Sequence, residues 1–227
     1  MHFIVLIILF ALLIFGPQWW VRHVLERHNR KEEDFPGTGG ELAQHLIDRL
    51  QLEGVSVEVA EGVGDHYDPL SKTVRLTKDK FERRTLTAIV TAAHEVGHAI
   101  QDAQQYPPFL WRLRLASVAQ TSEKIGSFLL FSVPVLALIT RAPGAGLLMF
   151  LAAFLTLGLG LVVQFLNLPV EWDASFSRAL PILEAGYIKK TQHRAARTIL
   201  RACALTYVAA SMAGLVNFWR WMRIMGR

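Results

Sequence analysis

Long apolar runs divide the chain into segments. The first covers residues 3–15 (FIVLIILFALLIF) without interruption, and the sequence GPQWWV carries it to residue 21. A hydrocarbon core needs about 20 residues of helix, so this run is long enough to cross a membrane. No basic region precedes it, and the bulky pair Trp19 and Trp20 stands where a cleavage site needs small residues. The pattern therefore favours an uncleaved anchor over a signal peptide.

Three further apolar runs follow in the second half of the chain. Residues 127–140 form a short run that contains Pro134, residues 144–168 form a longer one, and residues 199–219 form a weaker one. Together with the first run, they predict three to four transmembrane helices.

The polar segments between these runs show the periods of helices and strands. Residues 42–50 repeat apolar side chains at helical spacing, and so does the stretch from Phe81 to Gln105. The sequences VSVEVA (55–60) and TVRLT (73–77) alternate as strands do, and turn-forming residues fill the segment between them. We therefore expect two helices and a small β-hairpin with a long loop.

The distribution of charges predicts on which side of the membrane the polar segments lie. The net charge is +5, and of the 24 lysines and arginines only Arg141 lies between the two central apolar runs. Such a distribution predicts an integral membrane protein with its polar segments on the cytoplasmic side and lipid as a partner. No nucleic-acid motif accompanies the basic residues, so we expect no nucleic-acid partner. The single cysteine, Cys203, excludes an internal disulfide and is typical of a small buried residue.

The second predicted helix carries the sequence His94-Glu95-Val96-Gly97-His98. Histidines at i and i+4 project from one helix face, so both imidazoles can reach one tetrahedral Zn²⁺ at roughly 2.0–2.1 Å. The glutamate between them can take a proton from a zinc-activated water. We therefore interpret His94 and His98 as metal ligands and Glu95 as the general acid/base of peptide hydrolysis.

Zinc needs a third protein ligand, and few acidic residues follow the motif. A metzincin-type third histidine is excluded because Gln104 occupies its position. The remaining candidates are Asp102, Glu123, Glu171, Asp173 and Glu184. The ligand must lie on the same side of the membrane as His94, and two predicted crossings return the chain to that side before Glu171. This argument favours Glu171 and leaves Glu123 and Glu184 as alternatives, while Asp173 could orient a ligating histidine.

These residues resemble the YugP-like family of neutral zinc metallopeptidases. The likeness is carried in order by DHYDPLSKTVRL (65–76), AAHEVGHAIQDA (92–103), LPVEWDASFSRAL (168–180) and ALTYVAA (204–210). The resemblance implies a membrane-embedded zincin in which His94, His98 and Glu171 bind Zn²⁺ and Glu95 is catalytic. We expect a peptide, an unfolded protein or a membrane protein as substrate, and the resemblance does not name one.

The predicted fold class is thus an α+β membrane protein with a helical zincin core, a small β-hairpin and three to four transmembrane helices. The predicted function is a membrane-embedded, zinc-dependent endopeptidase, and the alternative is a catalytically silent zinc-binding scaffold or partner-binding protein. The expected segments are an anchor (1–21), a catalytic segment (22–126), a transmembrane helix pair (127–168), a segment with the third ligand (169–198) and a C-terminal apolar helix (199–227).

Overall fold

A computed structural model describes residues 2–30, 35–62, 64–140, 144, 147–148, 151, 166–206 and 209. The chain divides into two compact units, one formed by Met1–Tyr106 with Leu168–Arg227 and the other by Pro107–Asn167. The elements of the first unit are α1 (His2–Arg27), α2 (Gly39–Arg49), β1 (Ser56–Val59), β2 (His66–Asp68), β3 (Thr73–Leu76), α3 (Lys78–Glu82) and α4 (Leu86–Ala103). They are followed, after the second unit, by α6 (166–187) and α7 (193–206), with a short 3-10 turn at Lys190–Gln192 between them.

The central element of the first unit is α4. Thr85 caps its first turn by accepting a hydrogen bond from the amide of Ala88, and every residue from Leu86 to Gln101 is buried. The helix packs against α2, α3, α6 and the sheet. The predicted helix at Phe81–Gln105 is confirmed as α3 and α4, which are separate because the chain is extended at Arg83.

The sheet differs from the predicted hairpin. Its order is β1-β3-β2, and β3 pairs in parallel with β1 and antiparallel with β2. The two predicted strands are therefore neighbours, but in the opposite relative direction from a hairpin. Parallel neighbours need a long connection, and this connection contributes β2, whose Tyr67 is buried and donates a hydrogen bond of 2.8 Å to Asp102 on α4.

Helix α6 changes its hydrogen-bonding pattern along its length. Residues 166–172 are α-helical, Asp173–Ala179 are π-helical, and after one α-turn the segment Leu183–Tyr187 is π-helical again. The helix ends where Gly186 adopts a φ of +135°, a conformation open to glycine. Uninterrupted π-helix of this length is rare and is most often found at functional sites.

The second unit contains α5 (Pro107–Thr140), whose range includes Pro134. Large apolar side chains on it are exposed, among them Trp111, Ile125 and Phe128.

The prediction of three to four transmembrane helices is wrong for the described residues, in which no helix has both the length and the hydropathy needed to cross a membrane. The helices do not coincide with the apolar runs of the sequence. Helix α1 continues past its run to Arg27, and α5 begins at Pro107, well before the run that starts at residue 127. Most of the runs 144–168 and 199–219 lies outside the described residues.

Candidate metal centre

Helix α4 places two histidines side by side in the interior. His94 and His98 lie one turn apart on the same helix face, and the two residues are 3% and 4% exposed. Their ring centroids are 4.8 Å apart, with the planes nearly perpendicular. The histidine spacing predicted from the sequence is therefore realised on a buried helix.

Helix α6 brings Glu171 to both rings. Its Oε2 lies 3.3 Å from Nε2 of His94 and 3.2 Å from Nε2 of His98, and the residue is 1% exposed. Two ligands that bind one zinc tetrahedrally at 2.0–2.1 Å are separated by roughly 3.3–3.4 Å. The two imidazole–carboxylate distances therefore match the spacing of a tetrahedral zinc site.

The close approach of α4 and α6 depends on Gly97. A Cβ atom at this position would lie 2.7 Å from the carbonyl oxygen of Ala174, which is shorter than side chains tolerate. The glycine inside the histidine motif thus lets the backbone that follows Glu171 pack directly against α4.

A buried hydrogen-bond chain orients the His98 ring. The Nε2 amide of Gln101 donates to the carbonyl of Val170 and to Oδ2 of Asp173, both at 2.8 Å, so its Oε1 faces Nδ1 of His98 at 2.9 Å. Because Oε1 can only accept, the proton of a neutral His98 ring is on Nδ1. Its Nε2 then presents a lone pair towards Glu171.

The His94 ring is held in a similar way by Ser175. The Ser175 hydroxyl donates to the carbonyl of Leu200 at 3.3 Å, and its Oγ lies 3.0 Å from Nδ1 of His94. A hydroxyl that donates elsewhere accepts from the ring, so Nδ1 of His94 also carries the proton and Nε2 is a free acceptor.

The donor set fits a divalent metal of the zinc type. Within the described residues, His94, His98 and Glu171 are the group of side chains that could hold a metal ion, with ligand atoms all within 4.8 Å of one another. Buried acceptor atoms that face each other repel unless a cation lies between them. Two imidazoles and one carboxylate are also the protein ligands of several catalytic zinc sites, which keep the fourth position for water.

Glu95 follows His94 on α4 and is buried, with 6% of its surface exposed. A buried carboxyl beside a ligand histidine is in the sequence position that a proton-transferring residue occupies in this motif.

The other acidic candidates have different partners. Asp102 accepts from Tyr67, and Glu184 pairs with Arg197 at 3.0 Å. Asp173 touches no ligand histidine directly, and it accepts from Gln101 and from Arg178. Burial alone would raise the pKa of Asp173, but these hydrogen bonds outweigh it and hold that pKa below its usual value. The Glu123 side chain lies outside the described residues.

Two further residues, His66 and Cys203, lie outside the cluster. His66 donates to the carbonyl of Gly64 at 2.7 Å and lines a surface cavity of about 730 Å³ with Glu58 and Arg75. Cys203 is buried, as its apolar surroundings in the sequence predict, and burial raises the pKa of its thiol to about 12.

Three residues of the site were not expected from the sequence: Gly97, Gln101 and Ser175. Helix spacing places Gln101 on the face of His94 and His98, at i+7 and i+3, but does not show what it contacts. The π-helical segment that contains Ser175 gives no such spacing signal.

Comparisons with known proteins find matches along nearly the whole chain. The sequence profile of the family described as "Putative neutral zinc metallopeptidase" matches residues 3–226. A protein of Bacillus subtilis (strain 168), named "Putative membrane protease YugP", is 32% identical over 225 residues, which cover 99% of this chain and 96% of that protein. No solved structure matches the chain significantly. The chain belongs to the neutral zinc metallopeptidase family that this profile defines, and its buried His94–His98–Glu171 cluster is consistent with a zinc site.

Proposed function

We propose that this protein is a zinc-dependent endopeptidase in which His94, His98 and Glu171 hold the metal and Glu95 transfers protons. The observation that carries the proposal is the convergence of two buried imidazole nitrogens on one buried carboxylate oxygen, at 3.2 and 3.3 Å. Family membership supplies the reaction class, because the family is one of zinc peptidases.

Zinc bound at such a site lowers the pKa of a coordinated water to about 7 and polarises a carbonyl group. The residues of the chain prepare the site for this chemistry. Gln101 and Ser175 hold the imidazole protons on Nδ1, and the packing of α4 on α6 excludes bulk water from the ligand atoms.

Glu95 has the proton-transfer role in this proposal. Its carboxylate accepts a proton from the attacking water and then donates it to the nitrogen of the departing amine. Its position supports this role, because Glu95 is buried on the same helix as the two proposed ligand histidines.

The substrate in this proposal is an extended peptide segment of an unfolded or membrane protein. Strand β2 is an outer strand of the described sheet and is fastened to α4 through Tyr67 and Asp102. An outer strand can pair with an extended chain through main-chain hydrogen bonds, which requires little side-chain selection. This arrangement supports cleavage of locally unfolded chains with broad sequence tolerance.

The location in this proposal is a bacterial membrane, with the catalytic residues on the cytoplasmic side. The B. subtilis relative is named as a membrane protease, which supports this location. The exposed apolar side chains of Phe15 and Trp19 on α1 support contact with lipid.

Replacement of Glu95 tests the mechanism. Glu95→Gln keeps the size of the side chain and the proposed ligands but removes the proton carrier, so kcat should fall by about 10²–10⁴-fold while zinc is retained. The measurement is the cleavage rate of an unfolded protein and of the same protein folded, together with the zinc content of the purified enzyme.

The matched control is Glu53→Gln, which makes the same change at an exposed position and should leave the rate unaltered. Undiminished cleavage by Glu95→Gln would contradict the mechanism. Zinc binding by a wild-type protein that cleaves nothing would favour the silent-scaffold alternative.

A further inference from the structure

The chain of hydrogen bonds that starts at His98 continues past Gln101 and returns to α4, so that it forms a closed network. Arg178 donates through Nε to Oδ2 of Asp173 at 2.6 Å, and through Nη1 to Oε1 of Gln104 at 2.6 Å. Gln104 is the residue that ends α4. This closed network of hydrogen bonds runs from Gln101 on α4 to Asp173 and Arg178 on α6, and from there back to the end of α4.

Both polar atoms of the Gln101 carboxamide have hydrogen-bond partners. The side chain is completely buried, and its amide nitrogen and carbonyl oxygen make the three hydrogen bonds described above. Rotation of the amide by 180° would set its oxygen against two acceptors, the Val170 carbonyl and the Asp173 carboxylate. The network therefore admits one orientation.

This single orientation has a consequence for the ring of His98. Only a protonated Nδ1 satisfies Oε1 of Gln101, so the Nε2 lone pair is directed towards Oε2 of Glu171 at 3.2 Å. A histidine free to exchange its tautomer would spend part of its time with a proton on the atom that must bind the metal.

We propose that Gln101 is a positioning residue that fixes the tautomer and ring orientation of His98, and that Asp173 and Arg178 fix Gln101 in turn. The proposal rests on the proposed zinc site and adds what holds one of its ligands in a binding-competent form. Hydrogen-bond partners of this kind typically change metal affinity by 10–100-fold when they are removed.

Asp173 and Arg178 act at a distance from the ligand atoms. The Asp173 carboxylate is the acceptor that prevents the Gln101 amide from turning, and the guanidinium of Arg178, on the same helix, balances its charge. The Arg178 guanidinium also lies 5.3 Å above the ring of Tyr106, which restricts its movement.

The test compares Gln101→Met with Thr87→Val in the full-length protein. Methionine matches the length of glutamine, but its thioether sulfur is only a weak acceptor for the Nδ1 proton and donates no hydrogen bond. The control removes a buried side-chain donor from the same helix, because the Thr87 hydroxyl donates to the Leu25 carbonyl at 2.8 Å, two turns before His94. Zinc affinity is measured by competition with a chelator.

We expect Gln101→Met to bind zinc about 10–100-fold more weakly and Thr87→Val to bind as the wild type does. Asp173→Asn should weaken binding less than Gln101→Met, since an asparagine oxygen still accepts from Gln101. Equal affinity of Gln101→Met and wild type would overturn the proposal.

A second readout needs no variant. In the zinc-free wild-type protein labelled with ¹⁵N-histidine, long-range ¹H–¹⁵N spectra should show a proton on Nδ1 of His98 that exchanges slowly with water. A proton found on Nε2 instead would overturn the inference even if Gln101→Met did not fold. Failure of the wild-type protein to bind zinc would contradict the proposed function itself, so the two failures are distinguishable.

Discussion

Polar side chains of the candidate centre are among the most deeply buried in the described chain. Gln101 and Ser175 are fully buried, and Glu171 is 1% exposed. Burying such groups without partners costs about 1–3 kcal/mol each, so every one of them must be matched by a neighbour. Nδ1 of His98 is hydrogen-bonded to Gln101 and Nδ1 of His94 to Ser175, and the two Nε2 atoms face the carboxylate between them.

The assignment of the third ligand gives the first prediction at this scale. Glu171→Ala should weaken zinc binding by more than the roughly 100-fold upper range for residues that only support a ligand. Glu184→Ala, which removes an acid paired with Arg197, should leave affinity unchanged. Zinc titration of the two metal-free variants measures both effects, and retention of wild-type affinity by Glu171→Ala would show that another residue is the ligand.

The residues that the sequence could identify are those that belong to a spaced motif. His94 and His98 follow from helix geometry, because side chains four positions apart project from one face, and Glu95 follows from its place in the motif. Gln101 and Ser175 could not be identified in this way, since their roles depend on which backbone carbonyls and carboxylates another helix brings near. Those partners, Val170, Asp173 and Leu200, are distant in sequence.

At the scale of elements, the site depends on the contact between α4 and the π-helical part of α6. Asp173 and Ser175 both lie in that part, directly after Glu171, and both reach side chains on α4. The contact is possible because Gly97 leaves room for the Ala174 carbonyl. A π-helical segment of this kind gives no periodic signal that a sequence pattern could reveal.

The close contact between α4 and α6 predicts what an added methyl group at Gly97 would do. Alanine is favoured over glycine in a helix by about 1 kcal/mol, but at Gly97 its Cβ would collide with backbone 2.7 Å away. Overpacking of this kind costs about 1–3 kcal/mol, so Gly97→Ala should lower the free energy of unfolding and weaken zinc binding together.

The control for this prediction is Gly64→Ala, where an added Cβ meets nothing within 4 Å. This variant should change stability by less than about 0.5 kcal/mol. Denaturant unfolding and zinc titration measure the two quantities. A Gly97→Ala protein with wild-type stability and affinity would show that the helices can separate freely.

The sheet shows where pattern reasoning is limited. Alternation identified the segments of β1 and β3 correctly, because it depends only on which face of a strand is buried. Strand direction was wrong because it depends on the path of the connection, and the three residues of β2 stand among turn formers. Tyr67 is held in the strand by the hydrogen bond that its hydroxyl donates to Asp102 on α4.

At the scale of the whole molecule, the two sides of the candidate centre come from distant parts of the chain. More than 70 residues separate His98 from Glu171, and the second compact unit, Pro107–Asn167, is inserted between them. The sequence argument for Glu171 assumed two membrane crossings in this interval, and the described helices do not support that premise. Glu171 nevertheless reaches both histidines, because α6 packs against α4 next to Gly97.

X-ray absorption at the zinc edge of the full-length, zinc-loaded protein tests the central claim most directly. The account predicts about one zinc per chain, two imidazole nitrogens at roughly 2.0–2.1 Å, oxygen as the remaining ligands and no sulfur at about 2.3 Å. His98→Ala should remove one imidazole from the spectrum. A spectrum of the wild-type protein without imidazole scattering, or one unchanged by His98→Ala, would contradict the assignment of His94, His98 and Glu171 as the metal site.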